Sequence, residues 1–387
     1  MPTAPGGPDQ ESDASDEPDG PEGPGDDPGS RVGEHRSSPS HGRRRFRDHW
    51  VLLTALSLLG VVLVTGTAGV LVLGHRLQQN IESLGDPFVD LPSRPALVVT
   101  AAAGSDEDAG HAMNILVVGS DSRISAGDPS AWEEGAQRTD VIMLVHLPAD
   151  RSGAYLMSVP RDSWVDVPGH GQAKVNAAFA LGGTPLLIET VEQLTGVRVD
   201  HVALTDFESF SAVTDALGGV ELTLREDLRS RGALLVPAGD GLLTGDQALA
   251  YVRERRELPR GDLDRVQRQQ AWMRAVFLRL GSTETLTTPA RWAPVLDSVS
   301  RSVAVDDGFT LDVQRQVITR LARLGPSDVR FFTVPLQGTG TSADGQSIVL
   351  LDKPAFDELM SAVASDAVGA YLAEHPGDVE NLPRIPR

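Results

Sequence analysis

Apolar side chains are distributed unevenly along this chain of 387 residues. Residues 1–49 contain almost no large apolar side chains and are rich in Pro, Gly, Asp, Glu and Ser. Such a segment cannot bury enough surface to offset its chain entropy, so we predict that it is disordered. Residues 50–74 form a long apolar run, and 51–74 contain no charged residue. Because about 20 apolar residues cross a bilayer core of roughly 30 Å, this run predicts a transmembrane helix.

The charges on either side of this run predict its orientation. Arg43, Arg44, Arg45 and Arg47 precede it, whereas only His75 and Arg76 follow it closely. The positive-inside rule then places the N-terminus in the cytoplasm and everything after residue 75 outside. A cleaved signal peptide is the alternative, but its apolar region would be shorter and nearer the N-terminus. We therefore expect a single-pass anchor in the cell membrane.

Residues 75–110 are interpreted as an extracytoplasmic linker, because three prolines interrupt them and 100–110 are small and acidic. One folded domain is predicted over 111–370, followed by a tail at 371–387. Apolar runs of strand length recur in this domain and are almost continuous, which indicates strands buried on both faces. They span 114–118, 141–147, 154–159, 201–204, 220–224 and 329–334.

Helical periodicity separates these runs. Glycines after 184–194, 206–217 and 311–324 predict helix ends, and Asp352 is a predicted N-cap for a helix at 354–364. Thr244 and Gln247 form a predicted capping box for a helix that ends near Arg253. A further helix is expected over 263–280, with its apolar residues on one stripe. Alternating strands and helices predict an α/β fold, a three-layer α/β/α sandwich with a central mixed sheet.

Composition narrows the possible chemistry. The formal net charge is −20, which argues against a nucleic acid partner. The absence of cysteine excludes disulfides and thiol nucleophiles, and the nine histidines form no HExxH pair.

Arginine is concentrated in one segment of this acidic chain. Residues 251–270 include Arg253, Arg255, Arg256, Arg260, Arg265 and Arg268. Guanidinium groups match phosphate oxygens and stay charged, so the segment predicts an anionic ligand. A solvated helix face with ion pairs to Glu254, Glu257, Asp262 and Asp264 is the alternative, and the segment alone does not decide between them.

Further polar residues lie at the ends of predicted strands, where α/β folds place their sites. Asp121 follows the first strand, Arg138 and Asp140 open the second, and Arg161 and Asp162 follow the third. A single aspartate at such a position is often a turn former. Paired carboxylates on neighbouring strands can also hold Mg²⁺, whose remaining positions take water and phosphate oxygens.

Four other residues are candidates for the site, and two of them have an ordinary structural alternative. Lys174, at a loop-to-helix entry, is a candidate phosphate contact or a solvated surface charge. Arg265 and Gln269 are four residues apart and share a helix face. Asp262 begins that helix and could simply interact with its dipole.

These motifs, taken in order, resemble the LytR-CpsA-Psr family of membrane-anchored bacterial ligases of cell-envelope glycopolymers. The matching segments lie between about 111 and 280: 114–123, 138–140, 159–162, 174–178, 215–220, 251–253 and 261–270. The resemblance implies transfer of a glycopolymer from an undecaprenyl-pyrophosphate carrier to peptidoglycan, with a phosphodiester as the product. The implied partners are therefore a polyprenyl-pyrophosphate-linked glycan donor and a peptidoglycan acceptor.

The resemblance also implies roles for individual residues. Asp121 and Asp140 match Mg²⁺ ligands, and Asp262 matches a carboxylate that orients the arginines. The positions that bind the pyrophosphate are matched by Arg138, Arg161, Lys174, Arg253, Arg255, Arg265 and Gln269. Asp121, Arg138, Asp140, Arg161, Asp262 and Arg265 are the expected catalytic residues. The general base is left open among Asp121, Asp140 and Asp162.

Three points stay open after this comparison. Arg260 and Asp264 place charges beside Gly261 and Asp262 where relatives often differ. A lipid tunnel is implied, and its candidate lining residues could equally be core: Phe179, Leu181, Phe207, Phe210, Val213 and Leu217. The alternative functions are a polyprenyl-pyrophosphate pyrophosphatase and a membrane-anchored protein that binds lipid intermediates without catalysis.

Overall fold

The computed structural model describes residues 76, 79–96, 111–120, 139–230, 232–254, 258–281 and 289–386. They all belong to one compact unit, Thr65–Arg387. The predicted disordered segment 1–49 and the predicted membrane helix 50–74 lie outside these residues. Within the described ranges, no helix has both the length and the apolar character needed to span a bilayer.

A mixed sheet of eight strands forms the centre of the domain. In spatial order, with labels in chain order, these are β1 (Glu82–Ser83), β12 (Val303–Val305), β7 (His201–Asp206), β2 (Met113–Ser120), β3 (Thr139–Leu147), β4 (Ala154–Ser158), β13 (Val329–Thr333) and β16 (Glu380–Asn381). The pairs β1–β12, β2–β7 and β4–β13 are parallel and the others antiparallel. Five of the six predicted strands are therefore confirmed as members of this sheet.

Four hairpins lie outside the central sheet. They pair β5 (Trp164–Val167) with β6 (Gly171–Lys174), β8 (Val220–Leu224) with β11 (Gly239–Leu243), β9 (Leu228–Ser230) with β10 (Ala233–Val236), and β14 (Leu336–Thr341) with β15 (Ser347–Leu351). The predicted strand 220–224 is thus real but belongs to a hairpin. Its alternating buried and partly exposed residues are typical of a strand with one covered face.

Eight helices have defined bounds among the described residues. They are α1 (Val175–Thr195), α2 (Phe207–Ala216), α3 (Gly245–Arg253), α4 (Asp262–Leu280), α5 (Pro289–Arg301), α6 (Leu311–Ala322), α7 (Lys353–Ala364) and α8 (Val368–Glu374). The capping box of Thr244 and Gln247 is confirmed. Asp352 is the N-cap of α7 but its side chain makes no capping hydrogen bond. Helix α1 begins nine residues before the predicted position of Thr184, and a kink at Gly182 and Gly183 interrupts its first turns.

Helices cover both faces of the sheet, which confirms the α/β fold with a central mixed sheet. Successive residues of β3 point in opposite directions: Ile142 and Leu144 join one apolar cluster, which includes α1 and α7. Val141 and Met143 join another, which includes α2, α3 and α4. This alternation is the period of two expected for a strand between two layers of helices.

The proposed lipid-tunnel residues do not form one lining. Phe179 lies in the cluster with α1, whereas Val213 and Leu217 lie in the cluster on the other face of the sheet. Leu181 is exposed. Phe207 and Phe210 have no described side chains. Core packing, the alternative in the sequence analysis, therefore accounts for the buried members of this set.

Two predicted boundaries are corrected. Part of the predicted linker 75–110 is folded: β1 joins the sheet, and Arg94 forms an ion pair with Glu192 at 2.7 Å. The predicted tail 371–387 contributes β16 to the sheet edge and the buried Tyr371 to the core. Both segments are short and rich in turn residues, so their patterns gave no sign of these long-range contacts.

We expect Gly245→Ala to destabilise the protein by about 1–3 kcal/mol, because it overpacks a closed contact. Gly245 begins α3 and donates its N–H to Asp215 Oδ1 at 2.7 Å. An added Cβ would collide with the carbonyl oxygen of Ser211 and lie 2.6 Å from Asp215 Oδ2. Thermal denaturation measures the effect. Gly377→Ala is the matched control, since nothing lies within 4 Å of a Cβ there. Equal melting temperatures for the two variants would contradict the prediction.

Candidate functional site

The polar motifs of the sequence converge because of the strand directions. Strand β3 is antiparallel to β2 and β4, so the start of β3 lies beside the ends of both neighbours. Ser120, at the end of β2, pairs with Thr139 at the start of β3. Parallel pairing brings the ends of β7 and β13 to the same edge. The end of β2 and the loop that follows β4 therefore lie beside the residues that open β3.

Asp140, the second residue of β3, is contacted by two arginines. Arg161, three residues after β4, donates from Nη1 to Asp140 Oδ1. Arg265 on α4 donates from Nη1 to Asp140 Oδ2 at 3.2 Å. Its other terminal nitrogen is 3.4 Å from Oδ1. Asp140 is 5 % exposed and Arg265 only 1 % exposed, so these charges are almost removed from water.

Asp262 completes this cluster on the side of α4. Its Oδ1 contacts Arg265 Nη2 and lies 3.3 Å from Arg161 Nε. Gly261, with φ 57°, is the N-cap of α4, and Asp262 is the first helical residue. Both Asp262 oxygens are buried and accept no hydrogen bond of good geometry from the described residues. Asp262 therefore faces the arginines, as the family resemblance implies.

Burial and the neighbouring charges shift the pKa values of Arg161 and Asp262 in opposite directions. Burial disfavours the charged form of Arg161, but the carboxylates of Asp262, Asp140 and Asp162 together raise its pKa. Burial raises the pKa of Asp262, while the neighbouring arginines act in the opposite direction. For Asp262 the effect of burial outweighs that of the arginines, so the pKa of this carboxyl group is raised. A bound anion would compete with both carboxylates for these donors.

Lys174 is linked to the cluster through Asp162. Its Nζ lies 2.9 Å from Asp162 Oδ1, and Asp162 Oδ2 lies 3.7 Å from Arg161 Nε. Backbone hydrogen bonds position this segment: Val175 donates to the Ser163 carbonyl at 2.8 Å, and Asn176 to the Arg161 carbonyl at 3.2 Å. The first turn of α1 is therefore attached directly to the loop that carries Arg161.

The remaining predicted site residues differ in burial, and three of them lie outside the described residues. Gln269 lies one turn after Arg265, is buried, and its Nε2 has no hydrogen-bond partner among the described residues. Arg253 is the last residue of α3 and its side chain is exposed. Asp121, Arg138 and Arg255 lie outside the described residues.

The two unusual charges beside Gly261 pair with each other. Asp264 is completely buried and accepts from the backbone N–H of Arg260 at 2.9 Å and from its Nε at 2.7 Å. Arg260 also donates to Glu380 Oε1 at 2.6 Å. Arg268 lies over the ring of Tyr251 at 4.8 Å. Among the described arginines of the segment, Arg260 and Arg268 therefore stabilise structure, Arg265 belongs to the cluster, and Arg253 is exposed.

Sequence reasoning missed several residues that support the site. Glu380 comes from the predicted tail and also accepts from Gln267 Nε2 at 2.8 Å. Gln270 Nε2 donates to Ser158 Oγ at 2.8 Å and tethers α4 to the end of β4. No motif included Glu380 or Ser158, and Gln267 and Gln270 lie within the matching segment 261–270 but were given no role. The available signal was the presence of three glutamines, 267, 269 and 270, in an amphipathic helix.

The donor set at this edge is compatible with Mg²⁺, which prefers oxygen ligands. Asp262 offers two buried carboxylate oxygens without hydrogen bonds, and each Asp140 oxygen has two acceptor positions. Within the described ranges, no group of three or more His, Cys, Asp or Glu side chains is arranged to hold a metal ion. Asp121, the other predicted ligand, lies outside those ranges. The magnesium site stays a prediction.

Comparisons with known proteins agree with this architecture. The profile of the LytR_cpsA_psr family matches residues 94–365. The chain is 35 % identical over 311 residues to the cell wall biosynthesis protein LcpA of Corynebacterium glutamicum, which covers 70 % of this chain and 57 % of LcpA. It is 38 % identical over 250 residues to the probable cell wall biosynthesis protein LcpB of the same organism, and this match covers 62 % of this chain and 58 % of LcpB. The chain thus spans less than three fifths of both relatives.

A solved structure of TagT bound to LIIa-WTA shares the fold. Its TM-score is 0.54 at 22 % identity, over 72 % of this chain and 98 % of TagT. The site and fold together define an α/β domain with an arginine–carboxylate cluster at one sheet edge. The chain belongs to the LytR-CpsA-Psr family.

We expect Arg265→Met to destabilise the protein by about 3–5 kcal/mol, because it leaves the buried carboxylate of Asp140 without this partner. In an Asp140→Asn background, Arg265→Met should lower the free energy of unfolding by about 1–3 kcal/mol less than in the unaltered protein. This difference is the coupling expected for residues in contact. Urea denaturation of the unaltered protein, the two single variants and the double variant gives the coupling free energy of this double-mutant cycle.

Arg315→Met on α6 is the control for this cycle. Arg315 is 80 % exposed, with a 3.6 Å ion pair to Asp312, so its loss should change stability by less than about 0.5 kcal/mol. Additive effects of Asp140→Asn and Arg265→Met would show that the two side chains do not interact in solution.

Proposed function

We propose that this protein transfers a glycopolymer from a polyprenyl-pyrophosphate carrier to peptidoglycan, as a phosphotransferase outside the cell membrane. The observation that carries the proposal is the pair of guanidinium groups, Arg161 and Arg265, that meet at the buried carboxylate of Asp140. Two arginines that point at one place suit a diphosphate, which offers several oxygens to their fixed donor geometry. The family membership and the names of the corynebacterial relatives support the connection with the cell wall.

The fold is shared with a solved structure of TagT bound to LIIa-WTA, and this likeness is compatible with the proposal. The predicted membrane helix at 50–74 supports a donor that is held in the membrane. A domain tethered to the outer leaflet meets a membrane-borne donor at a high effective concentration.

In the proposed reaction, a sugar hydroxyl oxygen of peptidoglycan attacks the phosphorus that carries the glycopolymer. The bond from that phosphorus to the bridging oxygen breaks, and the polyprenyl phosphate leaves with the electron pair. The hydroxyl proton passes to a nearby carboxylate, and the product is a phosphodiester. Phosphoryl transfer asks the protein mainly for positioning and charge stabilisation.

Each residue of the cluster has a part in this scheme. Arg265, almost without contact with water, would stabilise charge on the departing phosphate, since such interactions are strong in a dry site. Arg161 would hold the phosphate under attack. Asp262 would keep both guanidinium groups in place before the donor binds. Among the candidate bases, Asp162 is 20 % exposed and lies beside Arg161, so an incoming hydroxyl can reach it.

Magnesium would be held by Asp140 together with Asp121. When bound, the ion would neutralise phosphate charge, and its remaining coordination positions would take water and phosphate oxygens.

We expect Arg161→Ala to lower the rate of transfer by about 10²–10³-fold, the loss typical of one donor to developing charge. The assay combines a lipid-linked glycan donor with soluble peptidoglycan fragments and quantifies the linked product by mass spectrometry. Arg301→Ala is the control, because Arg301 is 64 % exposed and pairs with Asp297 on its own helix.

Two outcomes would contradict the proposed function. If the unaltered protein released only free glycan phosphate with acceptor present, it would be a pyrophosphatase. If Arg161→Ala kept the full transfer rate, the cluster would not be the reaction site.

We expect Asp140→Asn to weaken Mg²⁺ binding by at least about 10-fold, since it replaces a charged oxygen ligand by a neutral one. Calorimetric titration with MgCl₂ measures this without reference to activity. The control Asp312→Asn changes an 84 % exposed carboxylate on α6 and should leave binding unchanged. Equal Mg²⁺ affinity in both variants would exclude Asp140 as a ligand.

A further inference from the structure

A separate cavity of about 340 Å³ opens beside Arg161. Its volume is at the lower end of the range of about 300–1,000 Å³ typical of small-molecule sites. The residues around it come from the loop after β4, from α1 and from the β14–β15 hairpin: Arg161, Asp162, Ala173, Lys174, Asn176, Ala177, Ala180 and Gln346. The cavity therefore touches the cluster at Arg161 and extends away from Asp140.

The lining of this cavity has two parts. Ala173, Ala177 and Ala180 present only methyl groups, and the last two lie three residues apart on one face of α1. Asn176 and Gln346 add amides, which both donate and accept hydrogen bonds. A small apolar surface with amides and charges around it matches a pyranose ring, which has C–H faces and a polar circumference.

Gln346 is held in place by its own turn. Its Nε2 donates to Asp344 Oδ2 at 2.6 Å, and its backbone N–H donates to Ser342 Oγ at 3.0 Å. Ser342 in turn donates its backbone N–H to the Gln346 carbonyl at 2.9 Å. The amide oxygen of Gln346 accepts no hydrogen bond from the described residues, so it is available as an acceptor on an exposed side chain that lines the cavity.

The hairpin that carries Gln346 is attached to the reaction site. Val349 on β15 donates its N–H to the Asp162 carbonyl at 2.9 Å, and Ser163 forms a β-bridge with Val349. The position of Gln346 relative to Arg161 is therefore set through the backbone. Residues after 284, which matched no motif, supply one wall of this cavity.

We infer that this cavity binds the acceptor sugar of peptidoglycan and that Gln346 recognises it through a hydrogen bond. The inference rests on the proposed function. An in-line transfer needs the nucleophile and the leaving group on opposite sides of the phosphorus. Arg265 and Asp140 are almost completely buried, which suits the leaving phosphate, whereas this cavity is lined by Arg161 and not by Arg265 or Asp140. Asp162 on its wall is then within reach of the attacking hydroxyl.

The first test compares transfer kinetics of the full chain and of Gln346→Ala with a soluble peptidoglycan disaccharide as acceptor. Loss of one hydrogen bond should raise the KM for the disaccharide about 3–10-fold. The KM for the lipid-linked donor should change less than about 2-fold, because Gln346 is remote from Asp140. Gln193→Ala is the matched control, since Gln193 is also exposed and its Nε2 bonds a carboxylate, Glu189, at 3.2 Å.

A second variant tests the cavity by its shape. Ala177→Leu should fill the apolar floor and abolish detectable binding of the disaccharide, measured by calorimetry, while melting temperature and donor binding stay close to those of the unaltered protein. An unchanged acceptor KM in Gln346→Ala, or a rise in the donor KM instead, would overturn the inference. Absence of transfer by the unaltered protein would instead contradict the proposed function, and disaccharide binding lost on Ala177→Leu would still support the cavity.

Discussion

The described site depends on one interaction, the carboxylate of Asp140 between the guanidinium groups of Arg161 and Arg265. Asp140 and Arg265 are almost inaccessible to water, so each charge would be costly to bury without the other. The carboxylate holds two positive groups close together before any ligand arrives. Their repulsion is thus balanced in the free protein, and an anion that displaces the carboxylate would find the donors already placed. Preorganisation of this kind is the main protein contribution expected for phosphoryl transfer.

The sheet topology makes that interaction possible. Asp140 opens β3 and Arg161 follows β4, and only antiparallel pairing brings a strand start beside a strand end. Helix α4 then supplies Arg265 from the layer above, and Gln270 tethers the same helix to Ser158 at the end of β4. Glu380 from the edge of the sheet holds Arg260, which in turn binds the buried Asp264 beside the N-terminus of α4. The polar residues of α4 therefore act together to set where Arg265 points.

The C-terminal third has a larger part than its sequence indicates. It adds β12, β13 and β16 to the sheet and closes one apolar cluster with α6. The β14–β15 hairpin then extends over the loop that carries Arg161. A region without recognisable motifs thus both completes the core and forms a wall next to the arginine–carboxylate cluster. In the proposed reaction, the residues that would bind phosphate and those that would select an acceptor lie on different elements.

By itself, the sequence determined the local structure and the chemical character of the site. Apolar runs marked five strands of the sheet because strands buried on both faces need such runs, and capping residues such as Thr244 marked helix ends. The motifs named Asp140, Arg161, Asp262 and Arg265 as partners through a family resemblance. Only the tertiary structure decided that Arg260 also binds Glu380, 120 positions away, that Phe179 and Val213 lie on opposite faces, and that Gln346 stands beside Arg161. Local pattern reports which surface a residue buries, whereas contacts between residues more than 100 positions apart depend on strand order, which no local period encodes.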